Sequence, residues 1–168
     1  KAKAAVETAR KNIAKHFNVS ATEIVFTAGG TEADNLILNN AVLNLGVQRI
    51  ITSKIEHHAV LHTCEFLEKS QHITLEFVNI DEFGSIDLVH LEELLATSNT
   101  KTLVSLMHIN NEIGNILNVD EISAICKKND ALFHSDTVQV IGHYKLDLKE
   151  TPIDFMVASA HKFHGPKG

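Results

Sequence analysis

The residues of this chain best suited to chemistry fall where apolar runs end. Lys162 follows the apolar run DFMVASA, inside ASAHKFHGPKG. Lysine is among the residues least often buried. At the end of an apolar strand its amine would be desolvated, which lowers its pKa and makes it a nucleophile toward a carbonyl; the alternative is a side chain that snorkels to water. Asp136 closes a second apolar run, ALFHSD. Alone it reads as a cap or turn aspartate. Beside a carbonyl-seeking lysine, a buried carboxylate has a specific use: it keeps the pyridine nitrogen of a Schiff-base cofactor protonated, so that the ring can act as an electron sink. Gly29-Gly30-Thr31 lies between a β-rich run and a helical one. Small residues there let the backbone approach an anion, the free N–H groups of a helix start point at it, and Thr31 adds a hydroxyl. The same triplet also serves as an ordinary turn and cap. His57 follows a strand and is placed to stack on a ring or carry a proton. The chain has 11 histidines, and His16, His62, His72, His90 and His143 read as surface or core residues. Glu56, His57 and His58 lack the i, i+3 or i+4 spacing that two metal ligands on one helix face need. His161 and His164 straddle Lys162 ahead of a Gly-Pro turn, so no metal is expected.

Positioning these groups falls to an alternation of helices and strands. Periodicity, caps and β-branched content predict helices over residues 2–17, 31–45, 58–70, 88–95 (capped by Asp87) and 119–129. They predict strands at EIVFT (23–27), 49–53, 73–80, 101–109, 131–136 and 154–160. Strands alternating with helices at this spacing mean an α/β fold, a mostly parallel sheet with helices on both faces. Ligands of such sheets sit beyond the C-terminal strand ends. Gly29-Gly30-Thr31, Glu56-His57, Asn110-Asn111, Asp136 and His161-Lys162 all follow strands, so five strand ends aim polar groups at one edge.

Bulk properties narrow the class. The 168 residues carry a formal charge of −6 with lysines spread along the chain, which argues against a nucleic-acid partner. The longest apolar runs are strand-sized, so no membrane span is expected. Cys64 and Cys126 sit in helical, apolar patterns and read as buried packing thiols of a reducing, cytoplasmic compartment. The basic opening KAKAAVETARKNIAKHF contains Glu7 and runs straight into the next element, so it reads as a fold helix rather than a targeting segment.

The segments EIVFTAGGTEADN, IITSKIEHHAVLHTCEFLE, SLMHINNEIG, HSDTVQ and SAHKFHGPKG cover almost the whole chain in this order. Together the sequence resembles the cysteine desulfurases, a branch of the class V aminotransferase group of pyridoxal 5′-phosphate (PLP) enzymes. The INNEIG form is similar to the subgroup that feeds iron–sulfur assembly. The resemblance implies that residues 1–168 are a PLP fold-type I large domain, incomplete at both ends and without the C-terminal small domain. It also implies the site roles. Lys162 is the Schiff-base lysine and the base for the substrate α-proton, and Asp136 pairs with the pyridine nitrogen. Gln139 bonds the phenolic oxygen, and His57 stacks on the ring and takes part in proton transfer. Gly30, Thr31, Ser159 and His161 hold the phosphate, and Asn111 lies beside the ring and the substrate carboxylate. Gln139, Ser159 and Asn111 rest on the resemblance alone.

The implied activity converts L-cysteine to L-alanine in a homodimer. The sulfur passes as a persulfide to an iron–sulfur scaffold or a tRNA-thiolation relay protein. A selenocysteine lyase, an aminotransferase and a non-catalytic PLP-fold piece are the other readings. Neither Cys64 nor Cys126 takes the place of the family's sulfur-accepting cysteine, so these residues alone are expected not to desulfurate. Gly30 stands where alanine is common and Ala160 where glycine is common; both swaps are small enough to preserve backbone approach to phosphate. Phe163-His164 replaces an aliphatic–tyrosine pair, which bears on packing more than on chemistry.

Overall fold

A computed structural model describes residues 1–166; the last two residues of the HKFHGPKG motif lie outside the described residues. In chain order the elements are α1 (Ala2–Phe17), a 3-10 turn (Ala21–Glu23), α2 (Gly30–Leu43), β1 (Arg49–Thr52), α3 (His58–Gln71) and β2 (Thr74–Phe77). There follow α4 (Leu88–Ala96), β3 (Thr102–Ser105), α5 (Val119–Lys128), β4 (Leu132–Asp136), β5 (Phe155–Val157) and a closing 3-10 turn (Ala160–Phe163). Side-chain caps explain several of these boundaries. Asp87 accepts from the His90 N–H at the start of α4 (3.0 Å), and Ser20 and Glu23 form a capping box on the first 3-10 turn. On α5 the acidic Asp120 and Glu121 open the helix and Lys127 and Lys128 close it, as the helix dipole favours.

The five strands form one sheet in the order β2-β1-β3-β4-β5, and every pairing is parallel. Alternation along the central strands divides the core in two. Ile50 and Leu103 point to the side covered by α2 and α3, among Leu38, Ala41, Val60, Cys64 and Leu67. Ile51, Val104 and Phe133 point to the opposite side, among Phe17, Leu91, Leu95, Ile122 and Cys126 of α1, α4 and α5. Strands β1 and β3 are therefore buried on both faces, which is why they read as unbroken apolar runs. The expected α/β architecture with helices on both faces is what the chain adopts.

Two expectations need correction. Ile24 is extended, but residues 24–27 of EIVFT pair with no strand among the described residues. Val25 is 67% and Phe26 45% exposed, and what holds the segment is Arg10, whose Nε donates to the Ile24 carbonyl (3.1 Å) and whose guanidinium lies over the Phe26 ring. β-Branched content sets an extended backbone but does not supply a neighbouring edge. The second concerns Lys162. Strand β5 stops at Val157, and Lys162 lies beyond it in the 3-10 turn, exposed to solvent. Its amine is not desolvated by the end of an apolar strand.

Candidate active site

Because the sheet is wholly parallel, the segments that follow β1, β3, β4 and β5 all emerge at one edge. Asp136 is the last residue of β4 and only 6% exposed. One carboxylate oxygen, Oδ1, accepts from the Val138 N–H (2.9 Å), and Oδ2 has no hydrogen-bond partner among the described residues. Burial holds this carboxyl above the ordinary aspartate range, and the Asp34 carboxylate adds to the effect; the Val138 N–H, His134 and His57 pull the other way. A buried carboxyl in this condition gains from any cation brought to its free oxygen.

His57 comes from the loop after β1. Its Nδ1 accepts from the Ala59 N–H (3.1 Å) and so caps α3; the residue is exposed. Gly30 is the first residue of α2, and Thr31 beside it is exposed. A Cβ at Gly30 would stand 3.0 Å from Val138 Cγ2 and would also touch Val157 and Ser159. The start of α2 therefore lies directly against the segments that follow β4 and β5. That is a cradle in which the first-turn N–H groups have no intrahelical acceptor. Ser159 is fully buried, with its Oγ 3.0 Å from His161 Nδ1. Gln139 is half-buried in the turn after Asp136, and Asn111 is exposed after β3.

Lys162 is carried by a turn that is itself seated. Phe163 lies on Gly142, where an added Cβ would come within 2.3 Å of the Phe163 Cβ. His143 Nε2 lies 3.3 Å from the Lys162 carbonyl oxygen. The replacement at Phe163 thus acts through packing, and Gly142, at φ +89, supplies both the backbone conformation and the bare surface it needs.

The structure brings the sequence-predicted residues to one edge and gives a place to Glu56, which the sequence marked only as a strand-end group, and to Asp34 and His134, which it did not single out. Glu56 is buried below His57. Its Oε1 accepts from Ser53 Oγ (2.6 Å) and its Oε2 from the Met107 N–H (2.8 Å). Burial, above all, pushes its pKa from 4.5 up to about 8, and nearby Asp136 and Asp34 add to the rise against the two hydrogen bonds. Beneath Asp136, the fully buried His134 bonds Ser105 Oγ through Nδ1 (2.8 Å) and faces Asp34 Oδ1 with Nε2 (3.4 Å). Asp34 and His134 carried no signal in the sequence beyond their places in a helix and a strand. Glu56 could have been found as an acid trapped between a strand and a helix.

His58 and His62, four residues apart on α3, stack with ring centroids 4.9 Å apart. No group of three or more metal-ligating side chains occurs among the described residues. Cys64 and Cys126 are buried free thiols, each pushed up to about 12, chiefly by burial.

Known proteins show the same arrangement of sequence and backbone. The Cysteine desulfurase IscS of Dictyoglomus turgidum is 43% identical over 166 residues, which cover 98% of this chain and 41% of that protein. The protein of the same name from Clostridium botulinum (strain Kyoto / Type A2) is 45% identical over 170 residues, covering 100% of this chain and 42% of its own. The chain therefore spans about two-fifths of the length of the curated relatives it matches. Among solved structures, SspA in complex with cysteine superposes with a TM-score of 0.90 at 34% identity, covering 99% of this chain and 48% of that one. The sequence pattern of the family described as Aminotransferase class-V matches residues 1–168 throughout: the chain belongs to the class-V aminotransferase family.

Proposed function

We propose that the protein is a PLP-dependent cysteine desulfurase and that residues 1–168 belong to its large, cofactor-binding domain. The observation that carries this reading is Asp136. It is a buried carboxyl with one oxygen unpartnered among the described residues and a raised pKa, at the sheet edge that also carries the His57 loop, the Gly30 cradle and the turn of Lys162. A protonated ring nitrogen satisfies that carboxyl, and the donor set around Gly30 suits a phosphate, so the residues present fit PLP. PLP, when bound, delocalises the electron pair left on a substrate α-carbon when its proton departs.

The chain's own side chains do the rest. Asp136 accepts the ring N–H through its free oxygen and so keeps the nitrogen protonated. Gly30, Thr31, Ser159 and His161 donate to the phosphate, and Gln139 to the phenolic oxygen. His57 would stack on the ring and take part in moving a proton. Asn111 orients the substrate carboxylate. Lys162 Nζ is the point of covalent attachment and afterwards the base for the α-proton; its solvent-exposed position leaves it free to swing between these tasks.

L-cysteine as substrate is supported by relatives named cysteine desulfurase and by the neighbour solved with cysteine. The products are L-alanine and a persulfide sulfur, delivered to an iron–sulfur scaffold or a sulfur-relay protein. Cys64 and Cys126 are unsuited to receive it, because a buried thiol titrating near 12 is neither ionised nor accessible. A homodimer belongs to the same reading, as does a cytoplasmic setting, which suits two free thiols. No helix among the described residues is long and apolar enough to cross a membrane. The test is release of L-alanine from L-cysteine by the full-length protein, with sulfide released when an added thiol reductant cleaves the persulfide. Release that needs PLP and is lost in Lys162→Ala supports the proposal. Turnover independent of PLP, or undiminished in that variant, contradicts it.

A further inference from the structure

We propose that Glu56 and Asn110 are positioning residues: together they latch the loop that carries His57 to the loop that carries Asn111. The inference rests on the PLP reading for its purpose, but the latch itself is visible in two cross-links between the ends of the neighbouring strands β1 and β3. In one, the Glu56 carboxyl, held on its own loop by Ser53 Oγ (2.6 Å), accepts the Met107 N–H just beyond β3 (2.8 Å). In the other, Asn110 Nδ2 donates to the Ile55 carbonyl (2.7 Å). Asn110 Oδ1 meanwhile accepts from the N–H groups of Glu112 (2.8 Å) and Ile113 (3.1 Å), which folds the turn that displays Asn111. Glu56 and Asn110 are each 7% exposed, whereas His57 and Asn111, next to them in sequence, are exposed. In both Glu56-His57 and Asn110-Asn111, one residue is therefore buried as the anchor and its neighbour is presented to the edge.

The chemistry of the anchor fits its surroundings. Asp136 at the end of β4, Asp34 on α2 and Cys64 on α3 all act electrostatically on or from Glu56, and His57 adjoins it in sequence. A second buried carboxylate charge beside Asp136 would raise the Asp136 pKa further and weaken its hold on a protonated ring nitrogen. A neutral acid avoids this. In the neutral form the carbonyl oxygen still accepts from the Met107 N–H, while the Ser53 bond runs in the reverse sense of the carboxylate form, from the Glu56 O–H to Ser53 Oγ. Glutamine can make the same two bonds, with its amide oxygen toward Met107 and its NH₂ toward Ser53.

The experiment compares Glu56→Ala, Glu56→Gln, Asn110→Ala and Asn110→Asp with the wild-type protein. It has two readouts: amide hydrogen exchange without cofactor, and the dissociation constant for PLP. Loss of one cross-link should speed exchange at Met107 in Glu56→Ala, and at Ile113 in Asn110→Ala, by about 10-fold. Either change should weaken PLP binding by about 10-fold, because His57 and Asn111 lose their register. Glu56→Gln should stay within about 3-fold of wild type on both readouts, as expected when both hydrogen bonds survive. Asn110→Asp keeps the turn through Oδ1 but loses the Ile55 bond, so PLP binding should weaken while Ile113 stays protected. If Glu56→Ala fails to fold, Glu56→Gln and Asn110→Asp decide the matter alone. Unchanged PLP affinity in Asn110→Asp, or a Gln variant as impaired as Ala, overturns the latch. Failure of wild-type protein to bind PLP removes the cofactor reading instead, and the exchange pattern still tests the two cross-links.

Discussion

Replacing Glu56 by glutamine should make the protein more stable as pH rises, and the structure fixes the sign and scale of the effect. In the folded protein burial keeps the proton on Glu56 up to about pH 8, against 4.5 for a solvated glutamate. The folded state therefore binds this proton more tightly than the unfolded chain does. Its contribution to stability is fully present below 4.5 and is lost as pH climbs through 8. Each pH unit in that window removes about 1.4 kcal/mol, a ceiling of about 5 kcal/mol across it. Water penetration and relaxation around the ionised carboxylate reduce this to about 2–3 kcal/mol. Glutamine keeps the bonds to Ser53 and Met107 and has no proton to lose. Urea unfolding of both proteins from pH 5 to pH 9 gives the difference directly, since the titrations of groups that do not interact with Glu56 cancel in the comparison. The variant should match wild type near pH 5 and gain steadily, reaching about 2–3 kcal/mol by pH 9. A flat difference would refute the reasoning. So would a wild type that gains on the variant as pH rises, which would mean that Glu56 is ionised and paired with a cation.

Other consequences follow from the packing of the site. Gly30→Ala should destabilise by about 1 kcal/mol, because the new methyl meets Val138 Cγ2 at 3.0 Å; adding Val138→Ala should relieve the clash, and a double-mutant cycle in urea that shows no coupling would argue against it. Gly142→Ala combines a positive φ with a methyl driven into Phe163, so it should cost about 3 kcal/mol and displace the turn that carries Lys162, which thermal unfolding and PLP titration can both read. Asp136→Asn should retain some PLP but slow substrate α-proton exchange with deuterated solvent by several powers of ten, since a neutral amide cannot hold the ring nitrogen's charge; near-normal exchange would count against the carboxylate's role.

Much of the fold was legible in the sequence because period and caps carry it. Asp87 starts α4 as expected, and the apolar runs at Ile50-Ile51 and Leu103-Val104 are central strands because helices cover both their faces. The EIVFT segment was misleading, since side chains that favour an extended backbone say nothing about whether a neighbouring strand is there to pair with. Lys162 was placed by its apolar prefix, yet the turn at Ala160–Phe163 intervenes between it and β5. Of the site, Asp136, His57 and Gly30 showed themselves at strand and helix ends. Glu56 and Asn110 stood at strand ends too, but their bonding role did not show, because a side chain that works by bonding the backbone of a segment distant in sequence has no local pattern. The Asp34–His134 pair was hidden for the same reason.

The central claim is that Lys162 holds PLP covalently. The measurement that tests it most directly is borohydride reduction of the PLP-loaded full-length protein, followed by proteolysis and mass spectrometry of the labelled peptide. The account predicts a single pyridoxyl group on Lys162 and none in Lys162→Ala. A label on Lys167, or no label in protein shown to bind PLP, would contradict it.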